Sequence, residues 1–289
     1  MFVFVILNYQ SLNETIIETK HIINDLEGDN HVVIVDNASP NGSGDRLKKF
    51  FSNNSKVDVI QNSSNSGYAK GNNLGIRYTL RNYKPEFIVL ANNDIEFTQN
   101  DFTSLVKKSY DKQSFDILGP DILVPETGIH QNPKQITSFT VSQVKEINQH
   151  AKKLVRQNIF IFSVRAHLKR IVRLRKYVLK KRNLAHKKEE NLTGQKNVVL
   201  HGSLLVFSQS FFDKIDTPFD EGTFFYFETE ILDRILKEKN MVSKYEPNII
   251  VKHHQNTSTK LSYKKANEQQ KFQLTNMIKS TQRFIDLFS

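Results

Sequence analysis

The sequence contains no cysteine. That excludes disulfides, thiolate metal sites and cysteine nucleophiles, and it fits a reducing compartment. No run approaches the roughly 20 apolar residues a membrane-spanning helix needs. No secretory leader is visible, because the apolar run Phe2–Leu7 is short and no basic segment precedes it. Residues 144–190 hold neither proline nor glycine. Acidic residues are scarce there too: 144–196 carries 16 Lys and Arg against 3 Glu, a net of +13, so the rest of the chain has a net of −2. The basic character therefore belongs to one segment and not to the fold, which weakens any case for the whole protein binding nucleic acid.

What is present is 289 residues, 38% hydrophobic and 25% charged, enough for one large domain or two small ones with a buried core. Phe2–Leu7 reads as a buried parallel strand ending at Asn8-Tyr9. Ser11 or Asn13 is placed to cap a following helix, with Ile16, Ile17, Ile22 and Ile23 at helical spacing and Gly28-Asp29 breaking it. His31–Val35 reads as a second strand that ends in the polar stretch 36–43, where Asp36 could accept from a base imide or a ribose hydroxyl. The same stretch also reads as a plain surface loop. A short helix (45–51) and a third strand (57–61) follow. Gly67, Gly71 and Gly75 then recur every four residues, which matches neither a dinucleotide fingerprint nor a P-loop. On a helix that spacing lines one face with glycine and admits close backbone or ligand approach.

Phe87–Phe97 is the most informative stretch. An apolar run of strand length ends in Asn92-Asn93-Asp94 and then turns apolar again. In an open α/β sheet, ligands lie beyond the carboxyl ends of the strands. A carboxylate there can hold a hard divalent cation that bridges to phosphates. Read alone, the stretch is more simply a strand ending in an Asn-Asn-Asp turn. A helix near 102–110 and a strand near 117–118 continue an alternation that predicts a parallel, doubly wound α/β sheet.

From about 135 the character changes. Ile161, Val164, Leu168, Ile171 and Val178 recur at helical spacing with Arg165, Lys169, Arg173 and Lys180 between them, which predicts one or two basic amphipathic helices. Such helices lie on anionic membranes, at about 1 kcal/mol per basic residue near the surface. A helix packed on its own domain, or an RNA-binding one, has the same pattern. Only Phe160, Phe162 and Tyr177 interleave the charges, which disfavours single-stranded nucleic acid.

Order returns with a strand-like run over 198–207. The aromatic stretch 219–227 then meets acidic residues at a helix start, where the helix dipole favours them. Apolar neighbours of Glu228 are expected to raise its pKa and suit it to general-base work. His253 and His254, adjacent on a strand, are expected to face opposite ways. A helical tail closes the chain.

Four blocks in order resemble the inverting glycosyltransferases of family 2: Val35–Ser39 with Asn8-Tyr9 before it, Asn65–Ile76, Leu90–Ile95, and Gly202 through Phe219-Asp220-Glu221 to Arg234. The resemblance covers roughly 1–130 and 197–260. It implies the GT-A fold, with a doubly wound, mostly parallel central sheet, a basic helical insertion and a C-terminal helix. It divides the chain into a nucleotide-sugar-binding half (1–134), the basic insertion (135–196), an acceptor and catalytic half (197–260) and a helical tail (261–289). It implies transfer of a sugar from a UDP- or dTDP-sugar to an acceptor hydroxyl on a glycan or lipid-linked glycan, with inversion.

By the same resemblance, Asn8, Asp36, Asn37, Gly67, Lys70, Asn73, Asn92 and Asn93 bind the donor, and Asp94 with His253 holds Mn2+ or Mg2+. His253, followed at a distance by Ser258, matches the family's late His. Glu228 falls on the base position, and Asp220, Glu221, Glu230 and Arg234 lie toward the acceptor. Two departures stand out. The family's metal motif reads Asn-Asn-Asp, so one acidic ligand is missing, and Phe227 replaces the first acid before Glu228. The basic segment is expected to hold the enzyme at the cytoplasmic face of the cell membrane. The rivals are a nucleotidyltransferase-like enzyme without an acceptor base and a non-catalytic membrane or nucleic-acid binder.

Overall fold

Apolar residues alternate between two faces along each central strand, and this builds the core. A computed structural model describes residues 1–156, 193–254 and 266–289. In chain order the first half runs β1 (Phe2–Asn8), α1 (Leu12–Asn24), β2 (Asn30–Asp36), α2 (Ser43–Phe50), β3 (Val57–Gln61), α3 (Gly67–Asn82), β4 (Phe87–Asn92), β5 (Ile95–Phe97), α4 (Phe102–Lys112), β6 (Ile117–Val124) and β7 (Ile129–His130). The second half runs α5 (Val141–Val155), β8 (Gln195–Lys196), β9 (Leu204–Ser208), the short α6 (Gln209–Phe212), α7 (Glu228–Glu238), β10 (Ser243–His253) and α8 (Ala266–Phe288).

The sheet order is β3-β2-β1-β4-β9-β6-β10-β5. Strands β3, β2, β1 and β4 are mutually parallel, and β10 is parallel to β6. Strand β9 is antiparallel to both β4 and β6, and β5 is antiparallel to β10. Phe2, Phe4, Ile6, Val32, Ile34 and Val89 pack to one face with Ile22 of α1 and Val106 of α4. Val3, Val5, Val33, Val35 and Leu90 pack to the other face with Ile76 of α3 and Leu232 of α7. Both faces are covered, as a parallel sheet requires. Each fully buried aliphatic or Phe side chain contributes about 1.5–3 kcal/mol.

The glycine stripe of α3 has a packing cause. A Cβ at Gly75 would lie 2.5 Å from Val5 Cγ1, and one at Gly71 would lie 2.6 Å from Leu7 Cδ1. The helix can sit on the sheet only because those side chains are absent. One expectation for α1 fails: Ile22 is fully buried, but Ile17 is 68% exposed. Ile17 follows Ile16 by one residue, a rotation of about 100° that carries it off the core face. The strand expected over 198–207 is shorter and later, Leu204–Ser208.

Helix α5 begins with a reciprocal capping box between Thr140 and Gln143. It packs on α8: Val144 joins Phe227, Ile231 and Phe284 in a third apolar cluster, and Asn148 Nδ2 donates to Ile278 O (2.9 Å) and Thr281 Oγ1 (2.8 Å). The start of the basic segment is thus a packed helix. The amphipathic pattern from Ile161 to Lys180, and Ser258, lie outside the described residues. Among the described residues no helix is long and apolar enough to cross a membrane.

Candidate active site

Chain order runs outward from β1 to β2 and β3 on one side and to β4 on the other. The crevice beyond the carboxyl ends of β1 and β4 is therefore a topological switch point, where doubly wound sheets bind ligands. Asn8 ends β1 there and donates through Nδ2 to Asp36 Oδ1 (2.6 Å) and Ser43 Oγ (3.0 Å). The Ser39 N–H donates to Asp36 Oδ2 at 3.0 Å. Asp36 is thus a buried carboxylate held in one orientation. Asn37 organises the next loop: its Oδ1 accepts from Ser66 N (3.1 Å) and Asn62 Nδ2 (3.1 Å), and its Nδ2 donates to Gly67 O (3.1 Å). Gln10 (φ 62°) and Ala38 (φ 57°), in the loops after β1 and β2, are non-glycine residues in the left-handed region. Such strain collects at ligand sites.

Beside this crevice, Asp94 occupies the turn between β4 and β5. Its Oδ1 lies 3.2 Å from His253 Nε2 at the end of β10. His253 is buried and its Nδ1 is 2.7 Å from Gln131 Oε1. The neighbouring His254 faces the other way, to Glu96 Oε2 at 2.7 Å. Of the two amides before Asp94, Asn93 turns to α1, donating to Thr15 Oγ1 (3.1 Å), and the Asn92 N–H bonds Ser203 O (2.8 Å).

The third part is the start of α7. Tyr226 (φ 73°) and Phe227 (φ 68°) are consecutive left-handed non-glycine residues. Each costs of order 1–3 kcal/mol, held by its surroundings. They set Glu228 as the first residue of α7, buried, with Oε1 lacking a hydrogen-bond partner. Burial pushes the Glu228 carboxyl up to about 7, and nearby Glu230 adds to the rise. Lys134 and the backbone N–H groups of Glu228 and Tyr226 hold it back. Lys134 Nζ sits 2.7 Å from Glu230 Oε1 and 3.4 Å from Thr229 Oγ1. The ring of His201 is 5.9 Å from that of His253. Burial first, then Lys134 and His253, push the His201 imidazole well below its ordinary range, so it is neutral. Tyr68 donates to Gly202 O, and burial together with the Glu228 charge raises its phenol.

The model of the family described as "Glycosyl transferase family 2" matches residues 3–236. The chain belongs to glycosyl transferase family 2. The low-salt glycan biosynthesis hexosyltransferase Agl10 of Haloferax volcanii is 29% identical over 119 residues, which are 41% of this chain and 36% of that protein. The chain thus spans about a third of that relative. The mannosyltransferase PcManGT from Pyrobaculum calidifontis, solved with GDP-Man and Mn2+, superposes with a TM-score of 0.53 at 10% identity, over 99% of this chain and 70% of that one. TarS of S. aureus superposes with a TM-score of 0.52 at 13% identity, over 87% of this chain and 36% of that one. These likenesses carry the fold. It is the GT-A arrangement, with its mostly parallel sheet and a C-terminal helix.

The divalent cation that the sequence resemblance implies fits the donor set here in part. Asp94 and His253 offer one oxygen and one nitrogen side by side, but no group of three His, Cys, Asp or Glu able to hold a metal exists among the described residues. A cation on this pair would need further oxygens from a diphosphate, which is how Mg2+-type sites are commonly completed.

The other residues expected from sequence divide by position. Lys70 is exposed on the first turn of α3. Gly67 (φ +82°) backs onto Phe224, whose carbonyl a Cβ would meet at 2.4 Å. Asn73 is fully buried and bonds the 219–221 loop, through Nδ2 to Phe219 O (2.8 Å) and Glu221 Oε1 (3.3 Å). Asp220 is paired with Arg283 of α8 (2.8 and 2.9 Å), which holds its carboxyl below the usual range. Glu221 pairs with Arg77 of α3 (2.7 Å). Arg234 stacks its guanidinium 5.2 Å over Phe288 in the α5–α8 cluster. Asn73, Asp220 and Glu221 thus tie α3 and α8 to the 219–221 loop, whereas Asn8, Asp36, Asp94 and His253 lie at strand ends and Glu228 at the start of α7.

Sequence reading missed Gln131, Lys134 and His201. All three sit in extended loops without periodicity, and their only signal is a polar side chain beside a strand end. Lys134 is expected to hold the acid limb of the rate profile at lower pH. Lys134→Met removes the cation that favours ionised Glu228 and takes from Glu230 its ion-pair partner, so the limb in kcat/KM moves to higher pH. Lys134→Arg restores it. A limb unmoved in Lys134→Met contradicts the assignment.

Proposed function

We propose that this protein transfers a hexosyl or deoxyhexosyl unit from a UDP- or dTDP-sugar to a hydroxyl of a glycan or lipid-linked acceptor, with inversion at the anomeric carbon. The observation that carries the reading is Glu228, a buried carboxylate with a pKa near 7 at the head of α7. A base with a pKa near the working pH is suited to proton abstraction. Glu228 would take the acceptor hydroxyl proton as the oxygen attacks the anomeric carbon. The bond to the diphosphate breaks on the opposite face, and the electron pair leaves with the diphosphate. Asp36 would accept from the imide N–H of the base, with Asn8 orienting its carboxylate. Asp94 and His253 would hold Mn2+ or Mg2+, which when bound neutralises charge on the leaving diphosphate.

The test is nucleotide release from UDP-, dTDP- and GDP-sugars with a glycan-lipid acceptor, with product anomeric configuration read by NMR. Inverted product from a UDP- or dTDP-sugar supports the proposal. Retained configuration, release only from a GDP-sugar, or no release from any donor overturns it.

The basic segment 144–196 would hold the enzyme at the anionic cytoplasmic face, where a lipid-linked acceptor lies. Deleting 150–185 is expected to abolish flotation with anionic liposomes; retained flotation would remove this part of the reading.

A further inference from the structure

Gln131 belongs to no motif, yet both its backbone and its side chain are held. Its backbone N–H donates to Ile122 O on β6 at 2.8 Å. The next residue, Asn132, donates to Pro120 O (2.7 Å) and accepts from the His201 N–H (2.7 Å). The amide of Gln131 is therefore delivered from a pinned stretch, and its Oε1 lies 2.7 Å from His253 Nδ1.

His253 and Asp94 are fixed with equal rigour. His253 is in register with Ile95 on β5, and the His254 N–H donates to Asp94 O at 3.0 Å. Main-chain pairing thus holds the two residues side by side, with the imidazole Nε2 3.2 Å from Asp94 Oδ1.

The chemistry follows from which atoms can donate. A side-chain amide oxygen only accepts, so the hydrogen between Gln131 and His253 sits on Nδ1. Whenever the ring is neutral, Nε2 then carries a lone pair and faces a carboxylate oxygen. Two electron-rich atoms held at that distance are unfavourable by themselves and favourable around a cation. A histidine that ligates a metal commonly donates its other N–H to an oxygen, which fixes tautomer and ring angle.

We propose that Gln131 is the positioning residue that sets His253 in its Nδ1–H tautomer and so presents Nε2, beside Asp94, to a divalent cation. The metal half rests on the function proposed above; the tautomer half does not. Gln131 does not touch the cation in this account. It acts through His253.

The first experiment uses the full-length protein without metal or nucleotide. Long-range 15N–1H spectra of histidine-labelled protein at pH 8.5, with His253 assigned by its loss in His253→Asn, report which ring nitrogen bears hydrogen. Wild type and Gln131→Glu are expected to show the Nδ1–H form, since both offer an accepting oxygen. Gln131→Leu is expected to show Nε2–H, donating to Asp94. Mn2+ is then added in the presence of saturating UDP, dTDP or GDP, each in turn, and paramagnetic broadening of the His253 signals followed. Half-broadening in Gln131→Leu should need about 10- to 100-fold more Mn2+ than in wild type, and Gln131→Glu should restore the wild-type value.

A wild-type His253 that is Nε2–H or doubly protonated at that pH overturns the proposal. So does a Leu variant that keeps both tautomer and Mn2+ response. Absence of Mn2+ broadening in wild type would instead remove the metal pair from the proposed function, and the tautomer result alone would then decide the role of Gln131.

Discussion

Glu228→Gln is expected to lower turnover by about 10²–10⁴-fold while leaving nucleotide binding in place. Glutamine keeps the shape of the side chain and cannot take a proton. Donor affinity should survive, because the groups gathered around Asp36 lie on the loops after β1 and β2, not on α7. The wild-type profile of kcat/KM against pH should fall on the acid side with a midpoint near 7, the value to which burial raises Glu228. In Glu228→Gln that limb should vanish from the residual activity. Loss of nucleotide binding together with turnover would instead mean that α7 had been disturbed.

The same substitution makes an opposite prediction for stability. The Glu228 carboxyl rises from 4.5 to about 7 on folding, so the native state holds a proton that the unfolded chain releases. The favourable contribution of this group is complete below pH 4.5. It is lost progressively as pH rises toward 7, since the charged form is then forced into a buried place. At pH 8 the group should therefore destabilise the fold by up to about 3 kcal/mol relative to an unshifted carboxylate. Glu228→Gln should melt several degrees higher than wild type at pH 8, with the gap closing below pH 5. A gain in Tm with a loss of turnover separates a functional group from a structural one. Equal Tm at both pH values would show that the carboxyl is not desolvated.

Most of the scaffold was legible because parallel strands and their helices obey simple periods. The run Phe87–Leu90 reads directly as a strand buried on both faces, and its end at Asn92 is where the strand ends. The four-residue glycine spacing read as close approach, and the partner proved to be the sheet residues Val5, Leu7 and Val35. The antiparallel insertion of β9 between β4 and β6 was not legible, since its apolar run looks like any other buried strand and direction leaves no mark on composition. The position of the candidate site was readable where a polar residue coincides with a strand or helix end, as at Asp36, Asp94 and Glu228. It was unreadable where distant loops converge. Lys134 and Glu230 are far apart in sequence and in contact in space, and a lone Lys after a Pro carries no trace of its partner. Asp220 and Glu221 show the converse: two exposed-looking acids shortly before Glu228 are committed to Arg283 and Arg77, which brace the 219–221 loop.

Asp94→Asn is expected to remove the metal dependence of donor binding altogether. The turn then offers three neutral amides, and hard divalent cations select charged oxygen. No second carboxylate can replace it: no three-member acidic or histidine group exists among the described residues. Glu18 of α1, which senses the Asp94 charge, is buried with both oxygens unpartnered, and burial holds its carboxyl well above the ordinary range, so it is neutral. Calorimetry with UDP, dTDP and GDP, each with and without Mn2+, should show metal-enhanced binding of one nucleotide class in wild type. In Asp94→Asn the Mn2+ increment should disappear, a loss of at least about 100-fold given that even supporting residues of metal sites cost 10- to 100-fold. The metal-free affinity, which depends on Asp36 and its neighbours, should be unchanged. Turnover should fall by about 10²-fold or more, because the leaving diphosphate then develops charge without a counter-ion. An Mn2+ increment that survives in Asp94→Asn would move the cation off the Asp94–His253 pair. Wild-type binding and turnover indifferent to Mn2+ and Mg2+ would make the leaving group the task of the chain's own cations, with Lys134 the first to substitute.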